Sequence, residues 1–226
     1  MTKDREEMIK VICEAGSCHN NNIEYAKELI DLAIENKCWA IKFQLGKLSP
    51  PNITLPNEWW PELVDYATNR EDNKEVIEIF ASVFDDDAVN TLIEHNSKYM
   101  KISYSESCKN WWIVSTNIIP TAIVSCPLDR IKTYADEDIK LFCIPEYPVV
   151  YKINFDGLFP PFDGFSDHTL GYTQTANAIT WDAKYIEKHI TLDHDDISCP
   201  DNAFALKPKE LKNMMKYIKG HDEYRV

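Results

Sequence analysis

Two short segments of this 226-residue chain each set an imidazole beside a carboxylate at the end of an apolar run: Phe165-Ser166-Asp167-His168-Thr169 and Glu187-Lys188-His189-Ile190-Thr191. Neutral imidazole is the commonest transition-metal ligand. If both segments end neighbouring parallel strands, His168 and His189 stand side by side as half of a metal site with open positions. Either histidine alone would read as an ordinary polar residue at a strand end. Matching places in successive βα units favour the ligand reading. Glu187 lies two residues before His189 and so shares its face of a strand, where it can orient that ligand or an acceptor.

Lys42 and Lys101 carry a second chemistry. Each sits inside an otherwise apolar run, where an unpaired ammonium is costly and a bound anion would satisfy it. The competing account is a snorkelling side chain at a rim, or an ion pair with Glu14 or Glu106.

The elements that must hold these residues read as alternating strands and helices. Expected strands are Ile9 to Cys13, Trp39 to Gln44, Val76 to Val83, Tyr99 to Ser103, Thr121 to Cys126, Ile139 to Ile144, Phe162 to Ser166 and Lys184 to Thr191. Asn20-Asn21-Asn22 offers cap chemistry to a helix running to about Lys37, with apolar residues at helical spacing. Leu48 to Asn57 is a Pro-rich loop, and a short helix follows from Trp59 to Asn69. Another helix carries Ala88, Val89, Leu92 and Ile93, and one runs from Tyr172 to Asp182. Trp111 to Val114 fits helix or strand. Pro208 opens the last helix, with Leu211, Met214, Met215 and Ile218 on one stripe. About eight such units without long antiparallel pairs favour a compact (β/α)8 TIM barrel over a doubly wound sheet, and residues 1–226 suffice for a single barrel domain. Barrel chemistry sits at the C-terminal ends of strands, which would bring Glu14, Lys42, Ser82, Lys101, Ser125, Ser166, His168, Glu187 and His189 to one mouth.

Composition narrows the partners. Twenty-four Lys and Arg against 37 Asp and Glu give a net charge of −13, which disfavours nucleic acid and an anionic membrane surface. An anionic substrate then needs a locally basic pocket. Seven cysteines without a C-x-x-C pair read as reduced thiols more readily than as a disulfide framework or a zinc cluster. The charged N-terminus has no apolar core segment and no run approaches a membrane span, so a cytoplasmic protein is expected. Asp85-Asp86-Asp87 reads as a helix N-terminus, His194-Asp195-Asp196 as a solvated loop, and Trp59-Trp60 and Trp111-Trp112 as packing. There is no glycine-rich phosphate loop of Walker or dinucleotide type.

Gly164-Phe-Ser-Asp-His-Thr-Leu-Gly171, Ile186-Glu-Lys-His-Ile-Thr-Leu192 and Pro200-Asp-Asn-Ala-Phe-Ala-Leu206 together resemble the closing third of the sialic acid synthase family. Ile12-Cys-Glu-Ala-Gly16, Ile41-Lys-Phe-Gln44, Tyr99-Met-Lys-Ile102 and Glu146-Tyr-Pro148 extend the resemblance upstream in the family's order. It implies a carbon–carbon bond-forming transferase of the N-acetylneuraminate synthase type, condensing phosphoenolpyruvate with an N-acyl hexosamine or another aldose. A non-catalytic metal- and anion-binding descendant is the rival from another class. By the resemblance, Lys42, Ser82, Lys101, Ser125 and Ser166 hold the phosphate and carboxylate of phosphoenolpyruvate. Glu14 handles protons, Glu187 is the second catalytic carboxylate, and Tyr147 and Asp201 contact the acceptor. His168 and His189 hold a divalent cation, Mn²⁺ first, with Mg²⁺ or Co²⁺ as neighbours.

The chain departs from the pattern at Pro145, which cannot donate a hydrogen bond. It departs again at Ser103-Tyr-Ser-Glu106, in place of Gly-Ser-Gly-Glu, and at Ser125-Cys126-Pro127, in place of Ser-Thr-Gly. The family's C-terminal antifreeze-like domain, which lends an arginine to a neighbouring subunit's sugar site, has no counterpart before Val226. A homodimer and a separate antifreeze-like partner protein are therefore among the expected associations, and turnover of N-acetylmannosamine by this chain alone is expected to be weak.

Overall fold

Strand side chains alternate between two faces, and in this chain nearly every residue on one face of each run is apolar, while the other face turns polar toward the C-terminal end. That pattern suits a sheet closed on itself, with one face against helices and the other filling a barrel. A computed structural model describes residues 8–69, 75–109, 121–193, 195 and 198–224. The expected segment at Trp111 to Val114 and most of His194-Asp195-Asp196 lie outside the described residues.

The strands are β1 (Lys10–Glu14), β2 (Ala40–Leu45), β3 (Glu78–Val83), β4 (Tyr99–Ile102), β5 (Thr121–Ser125), β6 (Ile139–Cys143), β7 (Gly164–Asp167) and β8 (Tyr185–His189). All pair in parallel with their sequence neighbours, and β1 pairs with β8 to close the barrel. Helices α1 (Ile23–Glu35), α2 (Trp60–Thr68), α3 (Asp86–Glu94), α4 (Tyr104–Ser107), α5 (Thr173–Thr180) and α6 (Pro208–Tyr224) are the described ones. The (β/α)8 expectation therefore holds.

Local chemistry sets the helix ends. The Asn22 side chain accepts from Glu24 N at the start of α1, and Asp85 accepts from Ala88 N at the start of α3. Each cap of this kind is worth about 1 kcal/mol. The expected extension of α1 to Lys37 fails because Lys37 takes a left-handed φ of 58°, which ends the helix at Glu35. The seventh strand starts at Gly164 rather than Phe162. Asp163 instead ties the strand entrances together, its carboxylate accepting from Lys140 N and its carbonyl from Lys184 N, both at 2.8 Å.

The barrel interior has two layers that matter. Ile12, Ala40, Phe80, Ile123, Ile139 and Leu141 form a closed apolar cluster, floored by Trp39, Tyr99 and Tyr185. Two residues further along each strand the inward positions become Glu14, Lys42, Ser82, Lys101, Ser125, Cys143, Ser166 and Glu187. The apolar plug thus seals the lower barrel and leaves the charged layer facing the other mouth. Gly164 makes this seam possible, since a Cβ there would collide with the Tyr185 carbonyl oxygen and would sit 2.6 Å from Tyr185 Cβ.

Candidate active site

The charged layer opens into a cavity of about 410 Å³ that all eleven residues singled out in the sequence line: Glu14, Lys42, Ser82, Lys101, Ser125, Tyr147, Ser166, His168, Glu187, His189 and Asp201. Parallel pairing explains the convergence. Glu14 lies in register with Lys42 on one side and His189 on the other, Ser82 with Lys101, and Ser166 with Glu187.

Lys42 forms a close ion pair with Glu14 and donates to Ser82 Oγ at 2.8 Å. Lys101 donates to Ser125 Oγ at 2.8 Å and to the Ile102 carbonyl at 3.1 Å. Glu187 stands between the two lysines, 3.7 Å from Lys42 and 3.8 Å from Lys101, and accepts from Ser166 Oγ at 2.8 Å. The Lys101–Glu106 alternative is not formed, because Glu106 pairs with Lys109 at 2.8 Å. Glu187 shares a strand face with His189 as expected, but it contacts Ser166 and the two lysines, so it organises the cations rather than the imidazole.

These contacts separate the charges. Burial pushes the Glu14 carboxyl up, against the pull of Lys42 and His189. For Glu187 burial acts in the same sense but Lys101 and Lys42 outweigh it, holding the carboxyl down at about 2. Burial opposes the charge on Lys42, but Glu14 and Glu187 reverse that and raise it. Lys101 is lowered by burial, which Glu187 offsets in part. Two carboxylates pushed in opposite directions are the usual basis for dividing an acid–base role from a fixed charge.

His168 donates from Nδ1 to the Ile144 carbonyl at 3.0 Å, which leaves Nε2 as the acceptor nitrogen toward the cavity side, 3.5 Å from Ser166 Oγ. Burial, helped by His189, holds this imidazole down at about 3, so it is neutral. The His189 ring lies 5.6 Å from that of His168, and its buried Nδ1 has no hydrogen-bonding partner among the described residues, with Asp201 Oδ2 at 3.7 Å. A neutral ring oriented by a backbone carbonyl beside a second ring with an unmet nitrogen fits a divalent cation as two of its ligands, the rest coming from water or substrate.

Asp201 accepts from Ser17 N at 2.7 Å. A Cβ on Gly16 would strike the Asp201 carboxylate, and Gly16 also has a φ of 50°, so glycine is required on both counts. Tyr147 lies over His168, with centroids 4.1 Å apart, and is 58% exposed at the mouth.

Some cavity residues escaped the sequence reading. Gln44 donates to Glu14 at 3.1 Å and sits two residues after Lys42 on the same inward face, a signal that was there to use. Phe204 packs on His189, centroids 4.8 Å apart, and Asn52 lines the cavity from the Pro-rich loop; neither belongs to a periodic element. The thiols of Cys18 and Cys199 and the carboxylate of Asp201 lie within 4.8 Å of one another, a grouping that no spacing announced. Trp60 is fully buried, in keeping with a packing role.

Residues 49–224 match the NeuB family. The chain is 29% identical to the N,N'-diacetyllegionaminic acid synthase of Legionella pneumophila subsp. pneumophila, covering 92% of this chain and 71% of that protein. It is 24% identical to the pseudaminic acid synthase of Helicobacter pylori, covering 96% and 77%. The crystal structure of N-acetylneuraminic acid synthetase from Leptospira borgpetersenii superposes with a TM-score of 0.81 over 100% of this chain and 89% of that one, at 23% identity, which speaks to the fold. With a matching segment that spans most of the barrel, the chain belongs to the NeuB family, whose relatives named above are synthases of sialic-acid-type sugars.

Proposed function

We propose that residues 1–226 act as one barrel synthase unit that condenses phosphoenolpyruvate with an N-acyl aminosugar aldehyde, giving an extended 2-keto acid and inorganic phosphate. Carbon 3 of phosphoenolpyruvate attacks the aldehyde carbon. Water then adds at carbon 2, and the bond from carbon 2 to the phosphate oxygen breaks. One water proton ends on the former aldehyde oxygen and the other on phosphate.

The observation that carries this reading is the presence of Lys42, Lys101, Glu14, His168 and His189 around one cavity. Lys101, whose charge is the less fully paired, takes the anion together with Lys42 and the hydroxyls of Ser82, Ser125 and Ser166; charge-assisted contacts to phosphate are the strong ones. Glu14, with its raised carboxyl, moves the proton of the attacking water, a role worth roughly 10²–10⁴-fold. Glu187 stays ionised and keeps both ammonium groups in place. Tyr147 and Asp201 meet the acceptor at the mouth. When bound by His168 and His189, a divalent cation, Mn²⁺ before Mg²⁺ or Co²⁺, supplies Lewis-acid polarisation of the aldehyde oxygen.

The relatives' names differ in their sugar products, so the acceptor is proposed as a class rather than one sugar, and a different aldose is the alternative. Among the described residues no helix is long and apolar enough to cross a membrane. The cytoplasm is the proposed compartment. A homodimer or an antifreeze-like partner domain would meet the mouth at exposed Tyr147, Val150, Tyr151 and Leu170.

Phosphate release from phosphoenolpyruvate should be followed across a panel of N-acyl hexosamines and simple aldoses with Mn²⁺ present. Release that depends on acceptor, and that falls at least 100-fold in Lys101→Met, is the expected result. Silence across the panel while phosphoenolpyruvate still binds would move the reading to a non-catalytic anion- and metal-binding protein.

A further inference from the structure

β1 and β8 are the two strands whose pairing closes the barrel, and the loops that leave them meet above the seam. Cys18 lies on the loop after β1 and Cys199 on the loop after β8, 181 residues apart in sequence. Their sulfur atoms are 2.9 Å apart, closer than ordinary contact between two unbonded sulfurs. Cys18 is fully buried, whereas Cys199 is half-buried and is the nearer of the two to solvent. The pair flanks the hydrogen bond from Ser17 N to the Asp201 carboxylate, the link that carries Asp201 to the cavity mouth.

We propose that Cys18 and Cys199 are a modification site: a reversible disulfide that staples the β1–β8 seam, formed by a hydroperoxide. The Cys199 thiolate attacks a peroxide oxygen, the O–O bond breaks, and the alcohol or water leaves, giving a sulfenic acid at Cys199. Cys18 then attacks that sulfur, the S–O bond breaks, water leaves, and the S–S bond forms. In total two thiols lose two electrons and two protons to the peroxide, which is reduced to the alcohol (or water) and water. A disulfide needs the sulfurs about 2.05 Å apart, so the reduced pair has only about 0.9 Å to close. Where disulfides occur in reducing compartments they are usually transient, catalytic or redox-sensing.

Three other cysteines bear on the test. Cys13 and Cys38 are neighbours, but both are buried in the outer core, with Cys13 fully sealed. Cys108 is exposed and is replaced by serine in the test, to suppress linkage between molecules. Closing the staple ties the Asp201 turn to the loop after β1 by a covalent bond, where the reduced protein relies on the hydrogen bond to Ser17. The staple is independent of the reaction proposed for the cavity, because its readouts need no turnover.

Reduced full-length Cys108→Ser protein should be treated with equimolar hydrogen peroxide and followed by intact mass, peptide mapping and thermal melting. The expected result is loss of two hydrogens, a cross-linked pair of peptides carrying Cys18 and Cys199, and a rise in Tm. Dithiothreitol should reverse all three. Cys18→Ser and Cys199→Ser, made separately, should each lose the cross-link and the Tm rise. Sulfinic acid at Cys199 with Cys18 still reduced, or a Cys13–Cys38 link in its place, overturns the proposal. So does stoichiometric zinc in the untreated protein that is lost in Cys18→Ser, since the thiols and Asp201 would then be a metal site instead.

Discussion

His168 and His189 show how two residues of the same type can be given different tasks by their surroundings. The Ile144 carbonyl fixes which nitrogen of His168 carries the proton, while the His189 Nδ1 is buried with no hydrogen-bonding partner among the described residues. If these rings hold the cation, His168→Ala and His189→Ala should each lower metal affinity by at least 100-fold, with the far-ultraviolet circular dichroism unchanged. Metal titration of both variants decides this, and wild-type affinity in either one removes that ring from the site. A second expectation follows chiefly from burial. His168 is held at about 3 and His19 at about 4, both below the value of roughly 6.5 in an unfolded chain. As pH falls, the unfolded chain therefore takes up protons first. The stability these neutral rings provide is full above about pH 6.5 and is lost as pH drops toward 4 and then 3. Their joint slope approaches roughly 2.7 kcal/mol per pH unit near pH 5. Urea midpoints of metal-free protein between pH 7 and 4.5 should fall accordingly, and His168→Gln should flatten the decline. Equal stability at pH 7 and pH 5 would show that these imidazoles are not buried neutral.

At the scale of elements, the strands were legible because a parallel barrel imposes a strong pattern: outward positions mostly apolar, with Lys140, Asp167 and Lys188 as exceptions, and inward positions turning polar at the C-terminal end. Lys42 and Lys101 stood out as charges inside apolar runs and Glu187 by its place two residues before His189, and parallel register brings all three together. Loop residues such as Phe204 and Asn52 follow no period, and the Cys18–Cys199 contact is made only by closure of the barrel, so neither could be read from spacing. Strand ends shifted by a residue or two where a side chain took over a backbone task, as Asp163 does before β7. The same seam gives a third prediction. Gly164→Ala puts a methyl group against the Tyr185 backbone, where β7 and β8 are held in fixed register. Overpacking of this kind costs about 1–3 kcal/mol, and a protein of this size loses roughly 2–4 °C of Tm per kcal/mol. A melt of Gly164→Ala within a degree of wild type would show that the two strands can part without strain.

Over the whole molecule the charge balance poses a problem that the site has to solve. The protein carries a net −13, yet its proposed substrate is a polyanion. Inside the barrel, Glu14 and Glu187 cancel Lys42 and Lys101, so the metal-free cavity is not positive enough to hold several negative charges by itself. Glu187 cannot yield, because Lys101 and Lys42 hold it ionised at about 2. Glu14 can, because burial has already pushed its carboxyl upward. Entry of phosphoenolpyruvate should therefore draw a proton onto Glu14, freeing Lys42 for the anion. Calorimetry of metal-free protein at pH 7, in buffers of different ionisation enthalpy, should show uptake approaching one proton per phosphoenolpyruvate bound. Glu14→Gln, neutral from the start, should bind the anion with no proton uptake. With Mn²⁺ present the cation supplies part of the missing charge, and uptake should shrink in the wild type. A binding enthalpy that is the same in every buffer, or uptake that persists in Glu14→Gln, would place the compensating charge somewhere other than Glu14.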